Sequence, residues 1–233
     1  MTIKAPISSR RPNTYMTLHQ DIPFFENTPD NTHCFQAAFK MVLKYFLPEE
    51  DFSFEELDKI TAKKEGLWTW PLAGVVWMQE RGFEVKSIDR FNLHKFIEKG
   101  GQYIIDEYGS EVGEAQIKNS DIEQERRLAK QFLDLVETEV RIPQKEDILS
   151  LMERGYVVTI NLNAKVLNNK EGYSGHSVVI TGLDAEKIFL HDPGVPGVAN
   201  RGISYDTFEK AWAYPHKEAK NILAFKLKKE IFV

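Results

Sequence analysis

Cys34 is the residue in this sequence with the clearest chemical potential, and it is the only cysteine. It begins the stretch CFQAAFKMVLKYF, in which apolar residues recur at helical spacing. The N-terminus of a helix offers unpaired backbone N–H groups and a partial positive charge, and both favour a thiolate over a thiol. Cys34 is therefore a candidate nucleophile. The alternative interpretation is that it is a small apolar residue of the core.

A cysteine nucleophile needs a neighbouring base and a third group that orients this base. His176 begins the strand-like segment GHSVVITG, and Asp192 ends the next one, IFLHDP. Antiparallel pairing across the turn LDAEK would bring the two residues to the same end of a sheet. An imidazolium paired with Asp192 would lower the pKa of a nearby thiol. Taken singly, the histidine could be a structural hydrogen-bonding residue and the aspartate a turn former before proline.

The elements that position these residues follow a simple order, with helices first and strands second. Ser53 and Glu56 have the spacing of a capping box and predict a helix that ends on Gly66. A further helix is predicted between Pro71 and Gly82. The strand candidates are YVVTINLN, GHSVVITGLD, EKIFLHDP and NILAFKLKK. This order predicts an α+β fold.

The chain is predicted to form one domain. Residues 1–19 are polar, contain several prolines and are interpreted as a flexible N-terminal arm. Residues 20–233 then form the domain, with an inserted helical subregion at about 102–141. Within it, SDIEQERRLAKQFLDLVETE predicts a long charged helix with one apolar stripe.

Composition narrows the classes of function. The 233 residues carry a formal net charge of −5 and contain no basic run, which argues against a nucleic-acid surface. Trp68, Trp70 and Trp77 are accordingly interpreted as core or cleft residues rather than as a base-stacking platform. Neither a secretion signal nor a membrane span is evident, so a cytoplasmic protein is expected. The sequence does not indicate an oligomeric state.

No cofactor or metal is expected. The glycine-rich motifs that bind phosphates are absent from the sequence. His33 and His191 lie next to Cys34 and Asp192, so a metal site made of these residues is an alternative, but the spacing of zinc-binding histidine pairs is missing.

Several segments together resemble the papain-like cysteine peptidases of the bacteriocin-processing, double-glycine-leader type. These segments are IPFFEN, CFQAAFKMVLKYF, GHSVVITGLD, FLHDPG and FEKAW. The resemblance implies a papain-like fold and hydrolysis of a peptide or other amide through a thioester. It assigns Cys34 as nucleophile, His176 as base and Asp192 as the residue that orients the base. It also assigns an oxyanion-stabilising amide to Asn27.

Two residues depart from the pattern of this family. Phe35 follows the cysteine where the family usually has glycine, and Asn27 stands where the family has the longer glutamine. These departures leave an inactive papain-like binding module as one alternative. A second alternative, which does not depend on them, is an acyltransferase that uses the same triad with an amine acceptor. The insertion between Cys34 and His176 makes the chain longer than the compact form of the family, and it could cover or reshape the cleft.

Overall fold

A computed structural model describes residues 18–228 of the chain, so residues 1–17 of the predicted arm lie outside the described residues. Within this range the helices are α1 (Cys34–Phe46), α2 (Phe54–Ile60), α3 (Leu72–Glu80), α4 (Leu93–Lys99), α5 (Gly101–Asn119), α6 (Ile122–Leu135), α7 (Lys145–Glu153), α8 (Ala164–Leu167) and α9 (Tyr205–Trp212), with a short 3-10 helix at Lys217–Ala219. The strands are β1 (Leu18–His19), β2 (Phe83–Asp89), β3 (Glu137–Glu139), β4 (Val157–Asn163), β5 (Gly175–Leu183), β6 (Lys187–Asp192), β7 (Val198–Ser204) and β8 (Asn221–Leu227).

All strands in the described part of the chain belong to one sheet, in the order β3-β2-β8-β4-β5-β6-β7, and β1 pairs with β5. The neighbours are antiparallel except for β2 and β3. One face of the sheet contributes to a core with α1 to α6, and the other face contributes to a core with α7 to α9. The predicted α+β fold is confirmed. None of the helices among residues 18–228 is long and apolar enough to cross a membrane.

Local sequence signals explain several helix boundaries. The Ser53 side chain accepts a hydrogen bond from the Glu56 backbone N–H, and the Glu56 carboxylate accepts one from the Ser53 backbone, so the predicted capping box is present. This helix ends at Ile60, earlier than the predicted stop at Gly66. The reason is that Ala62 adopts a left-handed φ of 52° and the Lys63 backbone N–H donates to the Asp58 carbonyl at 2.9 Å, which closes the helix.

Three short or irregular strands escape sequence analysis. β3 lies where the long charged helix was predicted to continue, but α6 ends at Leu135. Leu18 and His19, assigned above to the arm, pair with Leu183 and Gly182 of β5. β7 has the sequence VANRGIS, and most of its residues are exposed. Only Ile203 of this strand is buried, so its sequence lacks the alternation of apolar and polar residues by which a strand is recognised.

The region predicted as an insertion is helical as far as Leu135, including its weakly patterned first half, and β3 follows. α5 is broken at Gly109, whose φ of 78° lies in the left-handed region that favours glycine. The two parts of α5 come very close, since a Cβ on Gly113 would lie 2.7 Å from the Cα of Ile105. Glycines at both positions therefore allow the helix to bend sharply, which no hydrophobic periodicity could reveal.

Phe35, the unusual neighbour of the cysteine, is a buried residue of the core. It is 5% exposed, and its ring packs on Phe39, with 5.6 Å between the ring centroids. Gly74 of α3 makes room for it, because a Cβ there would lie 3.2 Å from the Phe35 ring. The bulky residue is therefore accommodated by a glycine on the facing helix.

We expect Phe35→Ala to lower the free energy of unfolding by about 3–5 kcal/mol, since it leaves a cavity under the start of α1. Chemical denaturation measures this loss. Glu49→Ala serves as the control, because Glu49 is exposed and its truncation should change stability by less than about 0.5 kcal/mol. A loss under 1 kcal/mol for Phe35→Ala would show that this side chain does not support α1.

Candidate active site

Cys34 is the first residue of α1, as predicted, and its side chain is half-buried. No side chain caps this helix end. The preceding residue, His33, instead directs its ring to Asp58 of α2, 3.2 Å away, and to Asp30. The first backbone N–H groups of a helix have no carbonyl partner within it, and that of Phe35 donates to the Cys34 sulfur.

The loop that delivers Cys34 is organised by Asn27. The Asn27 Oδ1 accepts backbone hydrogen bonds from Thr28 at 2.9 Å and from His33 at 2.8 Å, and its Nδ2 donates to Asn31 Oδ1 at 3.0 Å. Its backbone N–H donates to the carbonyl of Pro193, directly after Asp192. Asn27 thus ties the cysteine loop to the end of β6.

His176 and Asp192 meet as the hairpin geometry predicts. His176 Nε2 lies 2.7 Å from Asp192 Oδ1, and both side chains are buried. The other side of the ring is hydrogen-bonded to the Cys34 thiol. The predicted nucleophile, base and orienting carboxylate are therefore brought together in one chain of hydrogen bonds.

Arg201 of β7 adds a fourth member that sequence analysis did not identify. Its Nη1 donates to Asp192 Oδ2 at 2.7 Å, while the Gly194 backbone N–H donates to Oδ1 at 3.0 Å. The guanidinium is held in turn by the Leu167 carbonyl and by Asn168 Oδ1. Both carboxylate oxygens of Asp192 are thus engaged, and its position is fixed.

The electrostatics favour a thiolate paired with an imidazolium. Burial acts to raise the pKa of Cys34, but hydrogen bonds from His176 and from the Ser177 and Phe35 backbone outweigh it, so this pKa is lowered. Burial acts to lower the pKa of His176, yet its bonds to Asp192 and Cys34 leave the pKa raised. Asp192 has a lowered pKa, because its bonds to His176 and Arg201 outweigh burial. The carboxylate therefore remains ionised and stabilises a charged imidazole.

A cavity of about 330 Å³ begins at Cys34 and His176 and extends between the sheet and the helices of the predicted insertion. Trp68 and Trp70 line it, as the sequence analysis expected for cleft residues. Trp70 Nε1 donates to Gln116 Oε1 at 3.1 Å, and Gln116 Nε2 donates to the Tyr173 hydroxyl at 2.9 Å. Through these bonds α5 is connected to the loop before β5 and covers one side of the cleft.

The alternative of a metal site finds no geometric support. No group of three or more His, Cys, Asp and Glu side chains among residues 18–228 is arranged to hold a metal ion. His191 Nε2 instead donates to the Ile22 carbonyl at 2.7 Å, and its Nδ1 accepts from the Asn200 backbone N–H. Both flanking histidines, His33 and His191, are thus engaged in holding loops.

Fold and site together define an α+β protein of the papain-like class, in which a cysteine at the start of a central helix faces a histidine and an aspartate on a sheet. The sequence matches the model of the "Peptidase_C39 like family" over residues 19–220, and the chain belongs to this family. The predicted family is confirmed, and it is a family of papain-like cysteine peptidases.

Comparison with solved structures gives three similar chains. A C39-like peptidase from Bacillus anthracis is 18% identical, with a TM-score of 0.47, over 91% of this chain and 98% of that one. The peptidase domain of Streptococcus ComA, a bifunctional ABC transporter of a quorum-sensing pathway, is 14% identical, with a TM-score of 0.47, over 88% and 98%. A double-glycine-motif protease of an AMS/PCAT transporter, in complex with the leader peptide, is 13% identical, with a TM-score of 0.48, over 91% and 98%. No curated protein matches the sequence significantly.

Proposed function

We propose that this protein cleaves a peptide or other amide bond through a Cys34–His176–Asp192 triad and a thioester acyl-enzyme. The observation that carries the proposal is the continuous chain of hydrogen bonds from Arg201 through Asp192 and His176 to the Cys34 thiol at the mouth of a cavity. A cysteine with a purely structural role would not need a histidine such as His176 beside it. Nor would it need a second residue such as Asp192 to orient that histidine. Family membership supports the peptidase assignment.

In the acylation step, the Cys34 thiolate attacks the carbonyl carbon of the scissile amide and forms a carbon–sulfur bond. The carbonyl electrons move onto oxygen and give a tetrahedral oxyanion. His176, as imidazolium, transfers its proton to the leaving nitrogen while the carbon–nitrogen bond breaks. The amine departs, and a thioester to Cys34 remains. Asp192 holds the ring in the orientation that makes this transfer possible.

The oxyanion needs hydrogen-bond donors at the helix start. The Cys34 backbone N–H is one candidate, because α1 carries no side-chain cap. Asn27 is the second candidate. Its Nδ2 carries two hydrogens, and one of them is engaged by Asn31. The loss of such a donor costs roughly 2.7–4 kcal/mol of transition-state stabilisation.

In the deacylation step, neutral His176 removes a proton from water as the water oxygen attacks the thioester. The carbon–sulfur bond breaks, the acid is released, and the thiolate–imidazolium pair is restored. An amine that takes the place of water would give acyl transfer instead, the alternative considered above. The acceptor therefore decides between a hydrolase and an acyltransferase.

Mass spectrometry of the intact protein tests this proposal. With a peptide thioester or activated ester as substrate, we expect a covalent adduct on Cys34 that decays in water to the free acid. Decay that requires an added amine such as glycine amide would identify an acyltransferase. Complete absence of an adduct on Cys34 would support the inactive binding module.

Arg201 is proposed as a positioning residue that acts through Asp192. We expect Arg201→Met to lower kcat/KM on the order of tenfold, the effect of one charge-assisted hydrogen bond of about 1.5–3 kcal/mol. The pKa of Asp192 should rise without the guanidinium, so the acid limb of the pH–rate profile should move to higher pH. Arg141→Met is the matched control, since Arg141 is exposed and binds Glu139 and Asp147. An unchanged acid limb in Arg201→Met would contradict the role.

A further inference from the structure

A row of polar residues crosses the sheet from the nucleophile to the far end of the cavity. Ser177 of β5 pairs with Asn161 of β4, and Asn221 of β8 pairs with Asp89 of β2. Hydrogen bonds join the two pairs, because the Asn161 backbone N–H donates to Asn221 Oδ1 at 2.7 Å and Asn221 Nδ2 donates to the Asn161 carbonyl. The row begins at the nucleophile, since the Ser177 backbone N–H donates to the Cys34 sulfur.

These four register partners share one face of the sheet, and all of them line the cavity. The opposite wall is mostly apolar, with Thr69 and Gln116 as polar members, and comes from the segment before α3 and from the two helices of the predicted insertion. Its residues include Trp70, Tyr108, Val112 and Phe132. The cavity is therefore a channel with a polar floor and a mostly apolar roof.

Asp89 places a carboxyl group at the β2 end of this row. Among the described residues that line the cavity, Asp89 is the only carboxylate, and none is a lysine or arginine. Asp89 Oδ1 accepts a bond from the Phe91 backbone N–H at 2.8 Å, but the carboxylate forms no ion pair with any group in residues 18–228. Burial raises the pKa of Asp89 to about 7, and the nearby charge of Glu107 adds to this effect. A bound cation would relieve this burial cost.

We propose that the channel binds the amine end of a short peptide substrate, with the ammonium group paired with Asp89 and the scissile carbonyl at Cys34. This inference rests on the proposed cleavage at Cys34. The polar floor would bind the peptide backbone, and the apolar roof would contact the side chains.

The geometry also sets the length of the substrate between its amine and its scissile bond. Ser177 and Asp89 are three strands apart, and strands are spaced about 4.8 Å, so the two residues are separated by roughly 14 Å. An extended peptide spans about 3.3–3.6 Å per residue, so roughly four residues bridge this distance. The protein would therefore cut a fixed, small number of residues from an amine.

Calorimetric titration of Cys34→Ala protein tests the assignment without relying on turnover. The probes are tetrapeptide amides of alanine and leucine in three forms: with a free N-terminus, with an acetylated N-terminus, and acetylated with a lysine at the first position. We expect the free amine to bind at least about tenfold more tightly than the acetylated peptide. If the acetylated lysine peptide binds as tightly as the peptide with a free N-terminus, a side-chain amine can also pair with Asp89. If it binds as weakly as the acetylated peptide, the group recognised is the N-terminal amine itself.

Asp89→Asn in the same protein should remove the preference for the free amine. Asp134→Asn, a change at an exposed carboxylate of α6, should keep it. Equal affinity for free and acetylated peptides, binding of neither, or a preference that survives Asp89→Asn would overturn the assignment. Cleavage of the same peptides by the unmodified protein reports separately on the proposed function, so the two ideas can fail independently.

Discussion

Cys34→Ala should abolish turnover and all covalent labelling while the protein stays folded. Without the sulfur no thioester can form, so kcat/KM should fall by at least about 10⁴-fold, as expected when one member of a catalytic unit is removed. Cys34 is half-buried at a helix start, and the change removes one atom, so the free energy of unfolding should change by no more than about 1 kcal/mol. Steady-state kinetics and chemical denaturation measure the two effects.

The core-filler interpretation of Cys34 predicts the reverse for this variant. Loss of several kcal/mol of stability together with retained activity would support it. Cys34→Ser provides a volume-matched comparison, because a hydroxyl of much higher pKa should be nearly as inactive as alanine although it fills the same space.

His176→Gln should produce the second large effect, a loss of kcat/KM on the order of 10⁴-fold. Glutamine can still donate a hydrogen bond to Asp192, but it cannot carry the proton between thiol and leaving group. Asp192 keeps its ion pair with Arg201, so the carboxylate is not left alone in the interior. The fold should therefore survive, as a far-UV spectrum would show.

His19→Gln is the matched control for this change. His19 is exposed in β1, and among the described residues its ring bonds only to Asn200 Oδ1. Its replacement should leave kcat/KM within about twofold of the unmodified protein. A similar loss in both variants would mean that histidine replacement acts through stability rather than through catalysis.

The parts of the site that sequence analysis predicted depend on local patterns. Cys34 was found because helical periodicity begins at that residue. The contact between His176 and Asp192 was found because one hairpin relates them, so only the position of the turn had to be known. Even a bulge in the pairing of β5 with β6 did not separate them.

The parts of the site that could not be predicted from the sequence depend on contacts between distant segments. Arg201 lies on an exposed strand with no apolar alternation, so neither the strand nor its partner could be recognised. The row from Ser177 to Asp89 exists because β8 lies between β2 and β4, and strand order of this kind is set by tertiary packing. The loop role of Asn27 was likewise hidden, because three of its four partners are backbone groups.

The pH dependence of Cys34 labelling by iodoacetamide tests the central claim most directly, because it reads the state of the nucleophile without any substrate. The pKa of Cys34 is lowered and that of His176 is raised, so the labelling rate should rise at a lower pH than that of an ordinary thiol, whose pKa is about 8.5. In His176→Gln the rise should move up to about 8.5 or higher, the range of an ordinary or buried thiol. A single rise near 8.5 in the unmodified protein would contradict an activated nucleophile and would leave Cys34 an ordinary thiol.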